Sequence, residues 1–113
     1  MTTLLIATTD PPAALRAIIE RGSTAVVSRR PQEVDIVANE ARDADRVVFW
    51  AAQRDSAVTN LAQAWIAREG RGTGQLLFIS ASADASPGGL SSDALFEWPR
   101  DEDRLRIAFM TGA

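Results

Sequence analysis

An α/β fold built on a parallel sheet is what this sequence predicts, and two patterns carry that expectation. Five short apolar runs recur along the 113 residues, each of strand length and without polar alternation, as in strands buried on both faces. Between them lie segments whose apolar residues fall at helical spacing, so strand and helix alternate. Right-handed crossovers between parallel strands then place helices on both faces of the sheet. One domain over residues 1–113 is expected, with no repeat or linker.

Leu4 to Ala7 forms the first run, followed by Thr8-Thr9-Asp10-Pro11-Pro12. An Asp before a Pro is a helix-start signal, with the carboxylate as N-cap. Leu15, Ile18 and Ile19 share a face of that helix, and Gly22 ends it. Thr24 to Val27 is the second strand and Arg29-Arg30-Pro31 the turn after it. A helix with Val34, Val37, Ala38 and Ala41 inward comes next. Arg46 to Trp50 is the third strand, and a helix over Ser56 to Glu69 carries a stripe of Val58, Leu61, Ala62, Trp65 and Ile66. Gln75 to Ser80 is the fourth strand. Ala83 to Ser92 is rich in Ser, Gly and Ala, so the fourth helix is expected to be short or irregular. Ala94 to Trp98 makes a fifth strand, and Asp101-Glu102 opens a last helix with Leu105, Ala108 and Phe109 inward.

Composition removes several kinds of chemistry. With no cysteine there are no disulfides and no thiolate metal sites. With no histidine, catalytic triads of the Ser-His-Asp or Cys-His type are excluded, and the commonest metal ligand is missing. Twelve basic residues, all arginine, stand against fifteen acidic ones for a net charge of −3, which argues against nucleic acid as a partner. No apolar run approaches the roughly 20 residues of a membrane helix, so no membrane partner is expected. The start Met1-Thr2-Thr3 has no basic n-region of a secretory signal, and cytoplasmic residence is expected. Arg29-Arg30 is the one adjacent basic pair and reads as a solvated loop.

The ends of the strands narrow the fold further. The first ends Ala7-Thr8-Thr9-Asp10, the third Phe49-Trp50-Ala51, the fourth Ile79-Ser80-Ala81, and the fifth Glu97-Trp98-Pro99-Arg100. In these landmarks the chain resembles the receiver domain of bacterial response regulators. There the first strand ends in an acidic pair that binds magnesium, and the third in the phosphoacceptor aspartate. The fourth ends in Ser or Thr, and the fifth in a Lys followed by a cis-proline. The resemblance covers essentially the whole chain and implies a flavodoxin-like sheet of order 2-1-3-4-5. It puts Trp50 at the acceptor position, Ser80 at the hydroxyl position, Trp98 at the lysine and Pro99 at the proline. Two departures stand out: the first helix is about one turn short, and the Ser80–Trp98 segment is a few residues short.

Phosphoryl transfer to a carboxylate needs an ionised Asp, magnesium on hard oxygen ligands, and a cation for the phosphoryl oxygens. Tryptophan offers only an N–H donor, and Thr8 and Thr9 supply neutral oxygens. Asp10 is either the helix cap or the last acid of a degenerate pocket. The expectation is therefore a pseudo-receiver that does not autophosphorylate, holds no metal or cofactor, and is not an enzyme. Strands one, three and five are read as side by side, which puts both indoles at the carboxyl edge, where ligands bind in open α/β folds. There Trp50 and Trp98 either plug a lost phosphate pocket or form a stacking platform for a planar or anionic ligand. Trp65 reads as core.

Gly70-Arg71-Gly72-Thr73-Gly74 follows a helix and precedes a strand, the wrong placement for a phosphate loop, and reads as a connector. Ser86-Pro87-Gly88-Gly89 lies on the ligand side, as a turn or an anion cradle. By the resemblance, Leu95, Ile107 and Met110 are candidates for a face that contacts a protein partner or a second copy in a homodimer. Two functions follow as expectations: a phosphorylation-independent signalling or interaction module, and a small-molecule sensor at the Trp50/Trp98 edge.

Overall fold

Five parallel strands in the order β2-β1-β3-β4-β5 form one sheet, with helices on both of its faces. This is the flavodoxin-like α/β arrangement expected from the sequence. The structure is a computed structural model that describes residues 2–33, 44–52, 56–69, 75–81 and 95–111. The elements are β1 (Thr2–Ala7), α1 (Ala13–Arg21), β2 (Ala25–Arg29), β3 (Arg46–Ala51), α2 (Ser56–Glu69), β4 (Gln75–Ser80), β5 (Leu95–Glu97) and α3 (Glu102–Thr111). The expected helix around Val34–Ala41 and the irregular fourth helix fall outside the described residues. So do the Gly70–Gly74 connector, the Ser86–Gly89 turn and the side chains of Trp65 and Met110.

β4 stands between β3 and β5, which corrects the reading of strands one, three and five as direct neighbours. The strands form because their side chains are buried on alternate sides of a sheet covered twice. Leu4, Leu5 and Ile6 are consecutive in β1 and all buried, and all six residues of β3 are buried. The two sides make two cores. On one, α1 and α3 bring Leu15, Ile18, Ile19, Leu105 and Phe109 onto Leu5, Val48, Trp50, Leu77 and Ile79. On the other, Val58 and Ala62 of α2 pack on Leu4, Ile6, Val47, Phe49 and Phe78. The Phe49 and Phe78 rings stack there with centroids 6.2 Å apart. Each fully buried aliphatic or aromatic side chain contributes about 1.5–3 kcal/mol.

The expected Asp10 cap is not formed. α1 starts at Ala13 with Pro12 at its N-cap, and no side chain caps it. A helix beginning at Pro11 would put Pro12 in its first turn, where the missing N–H removes a donor for the Asp10 carboxylate. Pro12 also pushes Pro11 out of the helical region. β2 extends two residues beyond its expected end, so Arg29 belongs to the strand and not to the turn.

At the amino edge, polar groups hold the sheet's entry points. Thr2 N–H donates to Asp45 Oδ2 (2.9 Å), and Asp45 N–H donates to the Thr2 carbonyl (3.0 Å). Arg46 is fully buried: its Nη1 donates to the Gly22 carbonyl (3.3 Å) and its guanidinium lies over the Phe109 ring, 4.3 Å from the centroid. Burial lowers the Arg46 pKa from its ordinary value. At the other end of α3, Asp101 N–H donates to the Glu97 carbonyl (2.8 Å), while Asp101 Oδ2 accepts from Glu97 N–H (2.8 Å). These reciprocal bonds lock β5 to α3, and Arg104 reaches back over the Phe96 ring at 4.8 Å.

Candidate functional site at the carboxyl edge of the sheet

Parallel register brings the strand ends expected to carry function to one edge. Ala7 pairs with Trp50, Trp50 with Ile79, Ala51 with Ser80, and Ser80 with Glu97. The ladder continues past the strands: Ala81 N–H donates to the Ala51 carbonyl (3.0 Å) and Trp98 N–H to the Ser80 carbonyl (2.8 Å). The Trp98–Pro99 peptide bond is cis.

Trp50 and Ser80 lie beneath this edge. Trp50 is 3% exposed and packs into the core shared by α1 and α3, with Trp98 half-buried against the same core. A residue so enclosed presents no face on which a planar ligand can stack. The Trp50 indole N–H is buried without a hydrogen-bond partner among the described residues. Leaving a buried donor unpaired costs free energy, so apolar burial of the large ring has to outweigh it. Ser80 is also buried.

Thr8, Thr9 and Asp10 are exposed at the end of β1. The Asp10 side chain is 91% exposed, and its partner is Arg16 Nη1 at 3.8 Å. That distance in solvent makes a weak, screened pair. Pro99 is exposed too. The candidate residues thus separate into Trp50 and Ser80, buried beneath the edge, Trp98, half-buried, and Thr8, Thr9, Asp10 and Pro99, exposed after β1 and β5.

A cleft of about 470 Å³ opens between the carboxyl ends of β1 and β2. Leu5, Ala7 and Pro11 make its apolar floor, of which Ala7 is the accessible part while Leu5 and Pro11 are buried. Its polar walls are Thr8, Thr9 and Asp10 from the loop after β1, and Ser28, Arg29, Arg30 and Glu33 from the end of β2 onward. Neither tryptophan lines it. Sequence reasoning set the arginine pair aside as solvated loop. The signal that could have found it was position: two arginines closing the strand that neighbours β1 must emerge beside Thr8 and Thr9. Among the described residues, no group of three or more acidic, His or Cys side chains is placed to hold a metal ion.

The beginning of α3 is electrostatically tuned. Asp101 accepts from the Glu97 backbone N–H and lies 3.5 Å from both Arg100 Nη2 and Arg104 Nη1. The backbone hydrogen bond first, then the arginines, hold its carboxyl below its ordinary value of 3.8 against an opposing effect of burial. Further along α3, Ile107 is 62% exposed, the one large hydrophobic side chain so placed among the described residues. Leu95 is half-buried against the α2-side core, whereas α3 covers the other side of the sheet. No described helix is long and apolar enough to cross a membrane.

Compared with known proteins, the chain matches no family model, no curated protein and no solved structure.

Proposed function

We propose that this chain is a non-enzymatic interaction module on a receiver-like sheet, working in the cytoplasm through a protein partner or a second copy of itself and without phosphorylation. The observation that supports this reading best is the burial of Trp50. In the resemblance it stands at the phosphoacceptor position, yet its indole is part of the hydrophobic core. An indole cannot attack phosphorus, and the neutral hydroxyls of Thr8 and Thr9 attract magnesium weakly beside carboxylates. Side chains of α1, α3 and β5 pack in the same core as Trp50, which supports this reading.

Ile107, exposed on α3, is the anchor proposed for such a contact because the receiver resemblance puts the partner face on this helix. One exposed apolar side chain does not by itself mark an interface. The decisive experiment is titration of the protein with beryllofluoride and magnesium, followed by intrinsic tryptophan fluorescence and calorimetry. The expected result is no saturable binding. Micromolar binding would overturn the reading and return the chain to phosphorylation-dependent signalling.

A further inference from the structure

The cleft between β1 and β2 is separate from the tryptophan edge and owes nothing to the interaction-module reading. Its volume, about 470 Å³, lies within the range of small-ligand sites, and it opens at the carboxyl end of the sheet, beside β1 on the side away from the β1/β3 switch point. An apolar floor with polar groups converging from the walls is the usual construction of such sites.

The side chains left without a partner decide the class of ligand. Two carboxylates and two arginines line the cleft, and each carboxylate faces a donor of the protein, Asp10 only weakly. Asp10 lies 3.8 Å from Arg16 Nη1, and Glu33 Oε2 accepts from the backbone N–H of Arg30 at 3.4 Å. The Arg30 guanidinium has no hydrogen bond or ion pair among the described residues, and it is a planar fork suited to two oxygens of one head group. Thr8, Thr9 and Ser28 add hydroxyl donors.

α1 strengthens the same bias. Its first helical bond runs from Arg16 N–H to the Pro12 carbonyl (2.9 Å), so the N–H groups of Ala13, Ala14 and Leu15 have no acceptor within the helix. No side chain caps this end and no acid occupies its first turn. The positive end of the helix dipole stands on the edge that carries the cleft, with Asp10, two residues before the N-cap, as its nearest acid in the sequence.

We infer that the β1–β2 cleft binds a small organic oxyanion, its phosphate or carboxylate head held by Arg30 and the threonine hydroxyls and its apolar body over Ala7 on the floor of the cleft. Phenyl phosphate, benzoate and inorganic phosphate serve as probes for calorimetry and thermal denaturation of the intact protein, with ionic strength held constant by chloride. The two aromatic anions distinguish a phosphate from a carboxylate head, and inorganic phosphate tests the apolar floor.

At least one aromatic anion is expected to bind saturably and raise the Tm. Arg30→Gln should weaken it about tenfold or more, the equivalent of one charge-assisted hydrogen bond. Arg106→Gln, which removes an equal charge from α3 outside the cleft, should leave binding unchanged. The inference is overturned if neither aromatic anion binds saturably, or if both variants weaken binding equally. Inorganic phosphate binding as tightly as phenyl phosphate would overturn the role given to the apolar floor.

Discussion

Gly22, the C-cap of α1, lies against Phe109 of α3 and accepts from Arg46 of β3, and replacing it tests the packing of the amino edge of the sheet. Its φ of −86° and ψ of 7° are open to any residue, so the glycine is there for space and not for backbone freedom. A Cβ built on Gly22 would stand 2.5 Å from Phe109 Cβ, 2.7 Å from Phe109 O and 3.0 Å from Phe109 Cδ1. The first contact is about 0.9 Å short of ordinary van der Waals distance. The two nearest atoms are a Cβ and a carbonyl, which no rotamer change can move, so α1 and α3 have to separate. Two effects oppose each other in Gly22→Ala. Restricting the unfolded chain stabilises by about 0.4–1 kcal/mol, and overpacking costs roughly 1–3 kcal/mol. Because backbone has to yield, the cost lies at its upper end and the net loss is about 2 kcal/mol. That corresponds to a Tm lower by roughly 8 °C for a domain of this size, measurable by calorimetry or circular dichroism. Phe109→Leu in the same background should restore little, since Cβ and O of residue 109 remain. A Gly22→Ala protein as stable as the parent, or more so, would refute the reasoning.

Four further outcomes follow from the same packing and electrostatics. Phe109→Ala should cost about 3–5 kcal/mol in denaturant unfolding, because it opens a cavity beneath the Arg46 guanidinium that stacks on the ring. Trp50→Phe should destabilise by less than about 2 kcal/mol, since it removes the unpaired indole N–H along with some volume, whereas Trp50→Asp should cost more than about 4 kcal/mol by burying an unpaired charge. Asp101→Asn should cost about 1 kcal/mol at neutral pH by weakening the bond to Glu97 N–H. The folded-state pKa of Asp101 lies below 3.8, so its stabilisation is complete above that pH and is lost as pH falls through the lower folded value. The Tm difference between parent and variant should therefore narrow only below pH 3.8. Ile107→Asp should leave the monomer's Tm unchanged while abolishing any concentration-dependent association seen by sedimentation.

The parallel sheet was legible because burial on both faces writes itself as uninterrupted apolar runs. Gln75–Ser80 and Ser56–Glu69 are read with the same limits in sequence and structure. The inward faces of α1 and α3 were legible for the same reason: Leu15, Ile18, Ile19, Leu105 and Phe109 keep helical spacing. The start of α1 was misread where two local rules compete, since Asp10 is a good cap and Pro12 denies it a donor. The end of β2 was misread because Ser28 and Arg29, half-solvated on an edge strand, carry no apolar signal. The cleft was the least legible feature, because it joins loops about 20 residues apart and no local pattern records their proximity.

β3 has one property that neither core has alone. Val48 and Trp50 point to the side of α1 and α3, while Val47, Phe49 and Ala51 point to the side of α2. Between β1 and β4 its amides are hydrogen-bonded on both edges. Neither layer of helices can detach without exposing half of this strand, so the two sides are linked through one six-residue segment. In hydrogen exchange the central β3 amides should open only with the whole molecule, while β2, on the outer edge, exchanges through smaller openings. A ligand at the β2 side of the edge would then protect a region that the rest of the fold leaves free to respond.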